Sequence, residues 1–141
     1  MINLATSKLI MYFMILLTMI SCVKKENEQW KGEGKIDHIG EFKTKSMYTI
    51  KVENNDDIIS FNVSDNSKHS VVTSTEGISN IHNWYLYWDD ANKALWVYSS
   101  DIGSSVWLEQ NSIFSETTIT YKNQDKLPVK MPKEIEKDIL E

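Results

Sequence analysis

Residues 48–64 read YTIKVENNDDIISFNVS, and this stretch decides the fold. Apolar side chains alternate with polar ones on both sides of an Asn-Asn-Asp-Asp run at residues 54–57. Strict alternation is typical of a strand with one buried and one solvated face. Asn and Asp favour turns because they tolerate left-handed backbone and hydrogen-bond to their own chain. The stretch therefore predicts a β-hairpin.

Short apolar or aromatic runs continue on both sides of this hairpin. They predict further strands at residues 34–39, 71–74, 84–88, 95–98, 106–108 and 117–122. Short strands at this spacing predict a mainly β fold, a single small antiparallel sandwich or barrel of about seven to eight strands. We place this β domain at residues 30–126. In residues 127–141, Pro128 ends the sheet and Pro132 starts a short C-terminal helix.

A short polar start and an apolar run precede Cys22, the chain's single cysteine. The start contains one lysine, the apolar run covers residues 9–20, and Met19-Ile20-Ser21-Cys22 leads up to the cysteine. This arrangement resembles the lipobox signal peptide of bacterial lipoproteins. The resemblance implies diacylglyceryl transfer to the Cys22 thiol, cleavage after Ser21 and acylation of the new amino terminus. Residues 1–21 would be the signal peptide, and residues 22–29 the lipidated cysteine and a tether.

Other interpretations of these residues stay open. A plain secretory signal has the same charged start and apolar run, but Met19 and Ile20 fit its small-residue cleavage site poorly. A transmembrane helix needs about 20 apolar residues, more than residues 9–20 provide. An ordinary buried cysteine would leave the flanking pattern unexplained. The lipoprotein resemblance implies a cell-envelope location, and the absence of aspartate directly after Cys22 favours the outer over the inner membrane.

Charge narrows the possible partners. Lys8 is the only charged residue of residues 1–21, so the rest of the chain carries 14 lysines, 20 acidic residues and no arginine, a net charge of −6. Nucleic acids and anionic lipids bind basic surfaces, which disfavours both as partners. Without arginine the chain has no bidentate phosphate clamp. We expect no nucleic-acid binding and no phosphate-handling activity.

No residue pattern predicts catalysis, a metal or a cofactor. His38, His69 and His82 are scattered, and no serine lies in a Gly-x-Ser-x-Gly motif. Asp89, Asp90 and Asn92 resemble the start of a calcium loop but lack its glycine and distal glutamate. A hairpin turn is the better interpretation. We expect a non-catalytic protein without cofactors; a small hydrolase whose histidines meet acids in space is the least favoured alternative.

Aromatic residues are concentrated in residues 84–107. This run resembles one strand-turn-strand unit of a β-propeller, and also segments of small uncharacterised bacterial secreted β proteins, without implying a function. One face of its strands carries the candidate binding surface, Tyr85, Tyr87, Trp96 and Tyr98. If exposed, such a row would anchor a protein partner or stack on sugar rings; otherwise both faces are buried. We favour binding of a protein partner, with a glycan or envelope polymer as the alternative.

Overall fold

The computed structural model describes residues 30–74 and 76–140, which form ten strands and one α-helix. Residues 1–29 lie outside the described residues, and with them the predicted signal peptide, Cys22 and the tether. The strands are β1 (Gly34–Ile36), β2 (Gly40–Lys43), β3 (Thr49–Asn55), β4 (Ile58–Ser64), β5 (Ser70–Thr73), β6 (Ile78–Ser79), β7 (Trp84–Asp89), β8 (Ala94–Ser99), β9 (Ser104–Gln110) and β10 (Ile113–Ile119). A 3₁₀ turn (Gln124–Lys126) and helix α1 (Lys133–Leu140) follow.

The predicted hairpin is confirmed. Strands β3 and β4 pair antiparallel from Thr49 opposite Ser64 to Asn55 opposite Ile58. The two residues between them, Asp56 and Asp57, have φ values of 51° and 64°. Positive φ at both central positions is the geometry of a two-residue turn that matches the twist of the flanking strands. Turn chemistry at 54–57 thus sets the register of this hairpin.

The strands form two antiparallel sheets that pack face to face. One sheet, the aromatic sheet, has the order β1-β7-β8-β9-β10. The other, the hairpin sheet, has the order β2-β3-β4-β5, with β6 also paired to β4. Within the described residues neither sheet closes into a barrel. The mainly β fold is therefore confirmed, and of the two predicted architectures it is the sandwich.

Ten strands replace the predicted seven to eight. The predicted strand at 34–39 ends at Ile36, where the chain leaves the aromatic sheet, and β2, which starts at Gly40 in the hairpin sheet, is a strand that the sequence did not predict. Strand β6 has two residues, too few for alternation to be recognised. The last strand is β10, not 117–122, because Asn123 accepts hydrogen bonds from the Thr120 backbone and hydroxyl and turns the chain there.

Apolar side chains fill the space on both faces of the aromatic sheet. Between the sheets lie Ile36, Phe42, Ile50, Val52, Ile59, Phe61, Val63, Val72, Ile78, Leu86, Trp88, Leu95, Val97 and Phe114. On the other face of the aromatic sheet, Tyr85, Ala94, Trp96, Val106, Leu108 and Ile119 pack with the C-terminal segment. That segment contributes Leu127, Val129, Met131, Ile135 and Ile139. The molecule therefore has three layers: the hairpin sheet, the aromatic sheet and the C-terminal cover.

Replacing Ile135 by alanine tests the C-terminal cover. Ile135 is the buried residue of α1, and truncating a buried isoleucine to alanine costs 2–5 kcal/mol. A two-turn helix near the chain terminus can shift to fill part of the cavity, so we expect a loss of about 2 kcal/mol in the free energy of unfolding. Denaturant unfolding followed by circular dichroism measures it. The exposed Leu140 is the control; an equal loss in Leu140→Ala would mean that α1 does not dock through Ile135.

One carboxylate joins the two sheets at a pair of turns. Asp90, in the β7–β8 turn, accepts hydrogen bonds from the Trp88 indole N–H at 2.8 Å and from the Ser46 backbone N–H at 2.9 Å. The Ser46 hydroxyl donates a third bond at 2.8 Å. Ser46 belongs to the connection between β2 and β3 in the hairpin sheet. Asp90 therefore holds the buried Trp88 ring and the opposite sheet together.

No helix formed by residues 30–74 and 76–140 has the length and apolar character needed to cross a membrane.

Candidate functional site

The predicted aromatic surface does not form an open row. Tyr85 is 3% exposed and Trp96 is 0% exposed, while Tyr87 and Tyr98 are half-buried. The C-terminal cover packs on this face, and the Tyr85 and Tyr98 rings stack with their centroids 4.9 Å apart. Lys35 places its ammonium 4.2 Å from the centre of the Tyr85 ring. Tyr85 and Trp96 are therefore buried, as in the alternative in which both faces of the aromatic strands are covered.

Burial also sets the chemistry of these side chains. It raises the pKa of Tyr85 well above the ordinary tyrosine range, and the Asp138 carboxylate of α1 raises it further. The indole N–H of Trp96 is buried and has no hydrogen-bond partner in the described structure. Neither group is accessible to a ligand while the cover is in place. Any binding role for the four residues remains a prediction that rests on Tyr87 and Tyr98.

The three histidines do not come together with other potential metal ligands in the described structure. His38 lies 3.2 Å from the Asp37 carboxylate and edge-on to the Phe42 ring. His69 lies 3.7 Å from the Asp65 carboxylate, and all three histidines, His82 included, are exposed. No group of three or more His, Cys, Asp or Glu residues in the described ranges is arranged to hold a metal. Asp89 accepts hydrogen bonds from the Asn92 backbone and amide, as in a hairpin turn.

The turns divide the sandwich into two ends. At one, which we call the near end, the Trp30 indole N–H donates to the Lys43 carbonyl at 3.0 Å and the Lys45 N–H donates to the Gly32 carbonyl at 3.2 Å. The described chain therefore starts at the near end. We call the opposite end, with the connections at residues 56–57, 80–83 and 100–103, the far end.

Backbone hydrogen bonds hold the far-end connections together. The Asn80 N–H donates to the Asp57 carbonyl at 2.7 Å, and the Ser100 N–H donates to the Asn83 carbonyl at 3.0 Å. Gly77 fits closely against Ile58, because a Cβ at residue 77 would lie 2.2 Å from Ile58 Cγ2. These contacts connect four chain segments into one surface.

Three isoleucines are exposed on this surface. Ile58 is 43% exposed, Ile81 is 81% exposed and Ile102 is 43% exposed. Single exposed apolar residues are ordinary, whereas several on adjoining loops are typical of interaction sites. Ile102 also lines a cleft next to the far end, so the apolar surface continues inward. Sequence reasoning missed these residues because they lie in turns and at strand ends, where alternation carries no information.

The connections that carry the isoleucines are acidic. Residues 54–58, 74–83 and 99–103 contain four acidic residues and no lysine or arginine. The acids are Asp56, Asp57, Glu76 and Asp101. Lys122 lies outside these ranges, in the turn after β10, whose last residue, Ile119, pairs with Ser104 at the same end of the sandwich. The far-end connections therefore present apolar side chains together with acidic ones.

A larger groove lies on the outer face of the hairpin sheet. It measures about 690 Å³ and has a mainly polar lining that includes Lys43, Lys51 and Lys68. Tyr48, its one aromatic lining residue, packs edge-on against Trp88 and Phe114 in the core. Its ring is thus engaged in the interior. This groove lacks the open aromatic face on which a sugar ring stacks.

Comparison with protein-family models, curated proteins and solved structures gives no match for this chain.

Proposed function

We propose that this protein is a non-catalytic lipoprotein of the bacterial envelope, anchored through Cys22, whose far end binds a protein partner. The partner presents apolar side chains flanked by lysine or arginine. The observation that carries the proposal is the set of three exposed isoleucines on hydrogen-bonded connections that contain four acidic residues and no lysine. The comparisons neither support nor oppose it.

The position of the chain start agrees with a tethered binding protein. The tether would join the domain at Trp30, at the near end, and its residues 23–29 would span at most about 25 Å. The far end would then point away from the lipid surface. An anchor at Cys22 thus leaves the isoleucines free to meet a partner. Within this proposal, we favour the outer membrane over the inner membrane as the location of the anchor.

The chemistry of the far end favours a protein over a glycan. Full burial of an isoleucine side chain contributes about 1.5–3 kcal/mol, so three of them can supply the apolar centre of an interface. The surrounding acids would speed association with a basic partner and select against an acidic one. Sugar rings instead require exposed aromatic faces, and the C-terminal cover occupies the aromatic face that the sequence suggested.

Site-specific photo-cross-linking in cells that make the full chain tests this proposal. A photoreactive residue at Ile81 is compared with one at Ile113, which is 70% exposed in β10 and adjoins the near-end turn at residues 111–112. We expect one discrete cross-linked protein from position 81 and none from position 113. Neutralising the far end with Asp56→Asn, Asp57→Asn and Asp101→Asn should lower the cross-linking yield several-fold.

Two results would contradict a far-end partner site. One is equal cross-linking at positions 81 and 113, which indicates random contact with crowded envelope proteins. The other is a cross-link at position 81 that survives both Ile102→Asp and neutralisation of the acids. As a matched control for charge, Glu33→Gln, Glu41→Gln and Glu53→Gln remove the same number of acids outside the far-end connections and should leave the yield unchanged.

A further inference from the structure

A cleft opens between the two sheets next to the far end. It lies where β4 and the residues between β5 and β6 face β8, β9 and β10. Strand β5 ends at Thr73 and β6 has two residues, so the hairpin sheet covers this corner of the aromatic sheet incompletely. Ile102 and Ile78 line the cleft on its far-end side. The cleft is thus continuous with the exposed isoleucines.

Apolar and aromatic residues form part of the wall of the cleft. Phe61, Ile78 and Val97 are buried core residues that also line it. Trp107 is half-buried and adds its indole ring. The indole N–H of Trp107 is shielded from solvent and has no hydrogen-bond partner in the described structure. An ammonium group has no acceptor for this N–H, so what Trp107 offers to a cation is the face of its indole ring.

Two carboxylates stand at the rim of the cleft. Glu116 pairs directly across the sheet with Trp107, which puts the two Cβ atoms about 4.5–5.5 Å apart. Glu76 lies on the opposite side, in the segment between β5 and β6. No lysine is among the lining residues. In the described part of the chain neither glutamate forms an ion pair.

The volume of the cleft limits its occupant. It measures about 110 Å³, whereas pockets for drug-sized ligands measure about 300–1,000 Å³. A single side chain fits this space. A lysine would lay its methylene stem along apolar walls and hold its ammonium in the polar rim. The ammonium would gain from two carboxylates and from the aromatic ring of Trp107.

We infer that this cleft, lined by Phe61 and Trp107 and rimmed by Glu76 and Glu116, accepts a lysine side chain of the partner. The inference rests on the proposed function for the identity of the partner. It extends the far-end surface by a pocket for one lysine of the partner. The site itself is testable without the partner, because n-butylammonium has the same stem and charge as a lysine side chain.

Nuclear magnetic resonance of the ¹⁵N-labelled full-length protein in detergent provides the test. The indole N–H signal of Trp107 is identified by its loss in Trp107→Phe. Titration with n-butylammonium chloride should shift this signal saturably, while n-butanol and sodium butyrate at equal concentration and ionic strength should not. In Glu76→Gln with Glu116→Gln we expect affinity to fall about tenfold, as expected for a loss of about 1.4 kcal/mol.

The controls separate this inference from the proposed function. Glu41→Gln with Glu53→Gln removes equal charge from the outer face of the hairpin sheet and should leave the affinity unchanged. Equal shifts with butanol and butylammonium, or no saturable shift, would overturn the lysine site. Butylammonium binding without a specific cross-link at Ile81 would support the cleft and contradict the partner. The reverse result would support the partner and overturn the cleft.

Discussion

Replacing Cys22 by serine is expected to release the whole protein from the membrane. In the proposed lipoprotein the anchor consists only of acyl chains on Cys22. Each buried methylene contributes about 0.8 kcal/mol, and two or more chains make attachment effectively stable. A hydroxyl in place of the thiol cannot accept the diacylglyceryl group through a thioether. Fractionation of cells measures the loss of membrane attachment, and the intact mass of the protein measures the loss of the lipid.

The wild type should fractionate with membranes, begin at Cys22 and carry a lipid-sized mass. Ser21→Ala is the matched control, because it keeps a small residue at the cleavage site and should retain both the lipid and the attachment. A wild-type protein that is soluble and without lipid would contradict the anchor. Membrane attachment that persists in Cys22→Ser would assign it to another part of the chain.

Replacing Asp90 by alanine is expected to lower the free energy of unfolding by about 3–4 kcal/mol. Three hydrogen bonds from Trp88 and Ser46 end on this carboxylate. The Trp88 side chain is fully buried, so its indole N–H would lose its acceptor without gaining water. The substitution also removes the link between the β7–β8 turn and the hairpin sheet. Denaturant unfolding of the variant and the wild type measures the difference.

Acid should weaken the same link. Burial by itself would raise the pKa of Asp90, but hydrogen bonds from Trp88 and Ser46 outweigh it and hold the pKa below its ordinary value. The folded state therefore binds this proton less readily than the unfolded state. The contribution of Asp90 is complete above the ordinary aspartate pKa of about 3.9 and is lost as the pH falls through the folded value. In Asp90→Asn this part of the pH dependence should disappear.

Asp89 in the same turn provides the control for Asp90. Its carboxylate accepts hydrogen bonds only within the turn, from Asn92 at 3.2 Å and 2.7 Å. Asp89→Ala should cost about 1 kcal/mol, the net worth of an ordinary hydrogen bond. If the two variants lost the same free energy of unfolding, Asp90 would stabilise only its own turn, and its hydrogen bonds to the hairpin sheet would contribute nothing further.

Local chemistry made much of the fold predictable. Alternation at residues 48–64 and the acidic turn at 56–57 suffice for the first hairpin, because register and turn geometry depend on neighbouring residues. The aromatic runs at 84–88 and 95–98 likewise correspond to β7 and β8. The strand predicted at 34–39 is too long and β2 is missed, since nothing local marks the point where the chain changes sheets. The last strand was displaced for a similar reason, a turn fixed by Asn123.

The candidate site was much less predictable. Tyr85 and Trp96 were singled out because two adjacent strands were aromatic on both faces. Alternation tells which residues share a face but not what covers that face. The covering residues come from a segment some 30 to 50 positions later in the chain. Ile58, Ile81 and Ile102 come together through the packing of separate connections, which no short-range pattern records.

The residues alone are enough to predict the β class, the first hairpin and the charge of the chain, and the first 22 of them resemble a lipobox signal peptide. Each of these depends on residue types or on neighbours within a few positions. Only the tertiary structure decided that the sheets stack as a sandwich, that the C-terminal segment covers the aromatic face, and that the cleft lies beside the exposed isoleucines. Those features depend on contacts between residues far apart in sequence, which form only when buried area and backbone hydrogen bonds together outweigh the entropy of closing the loops between them.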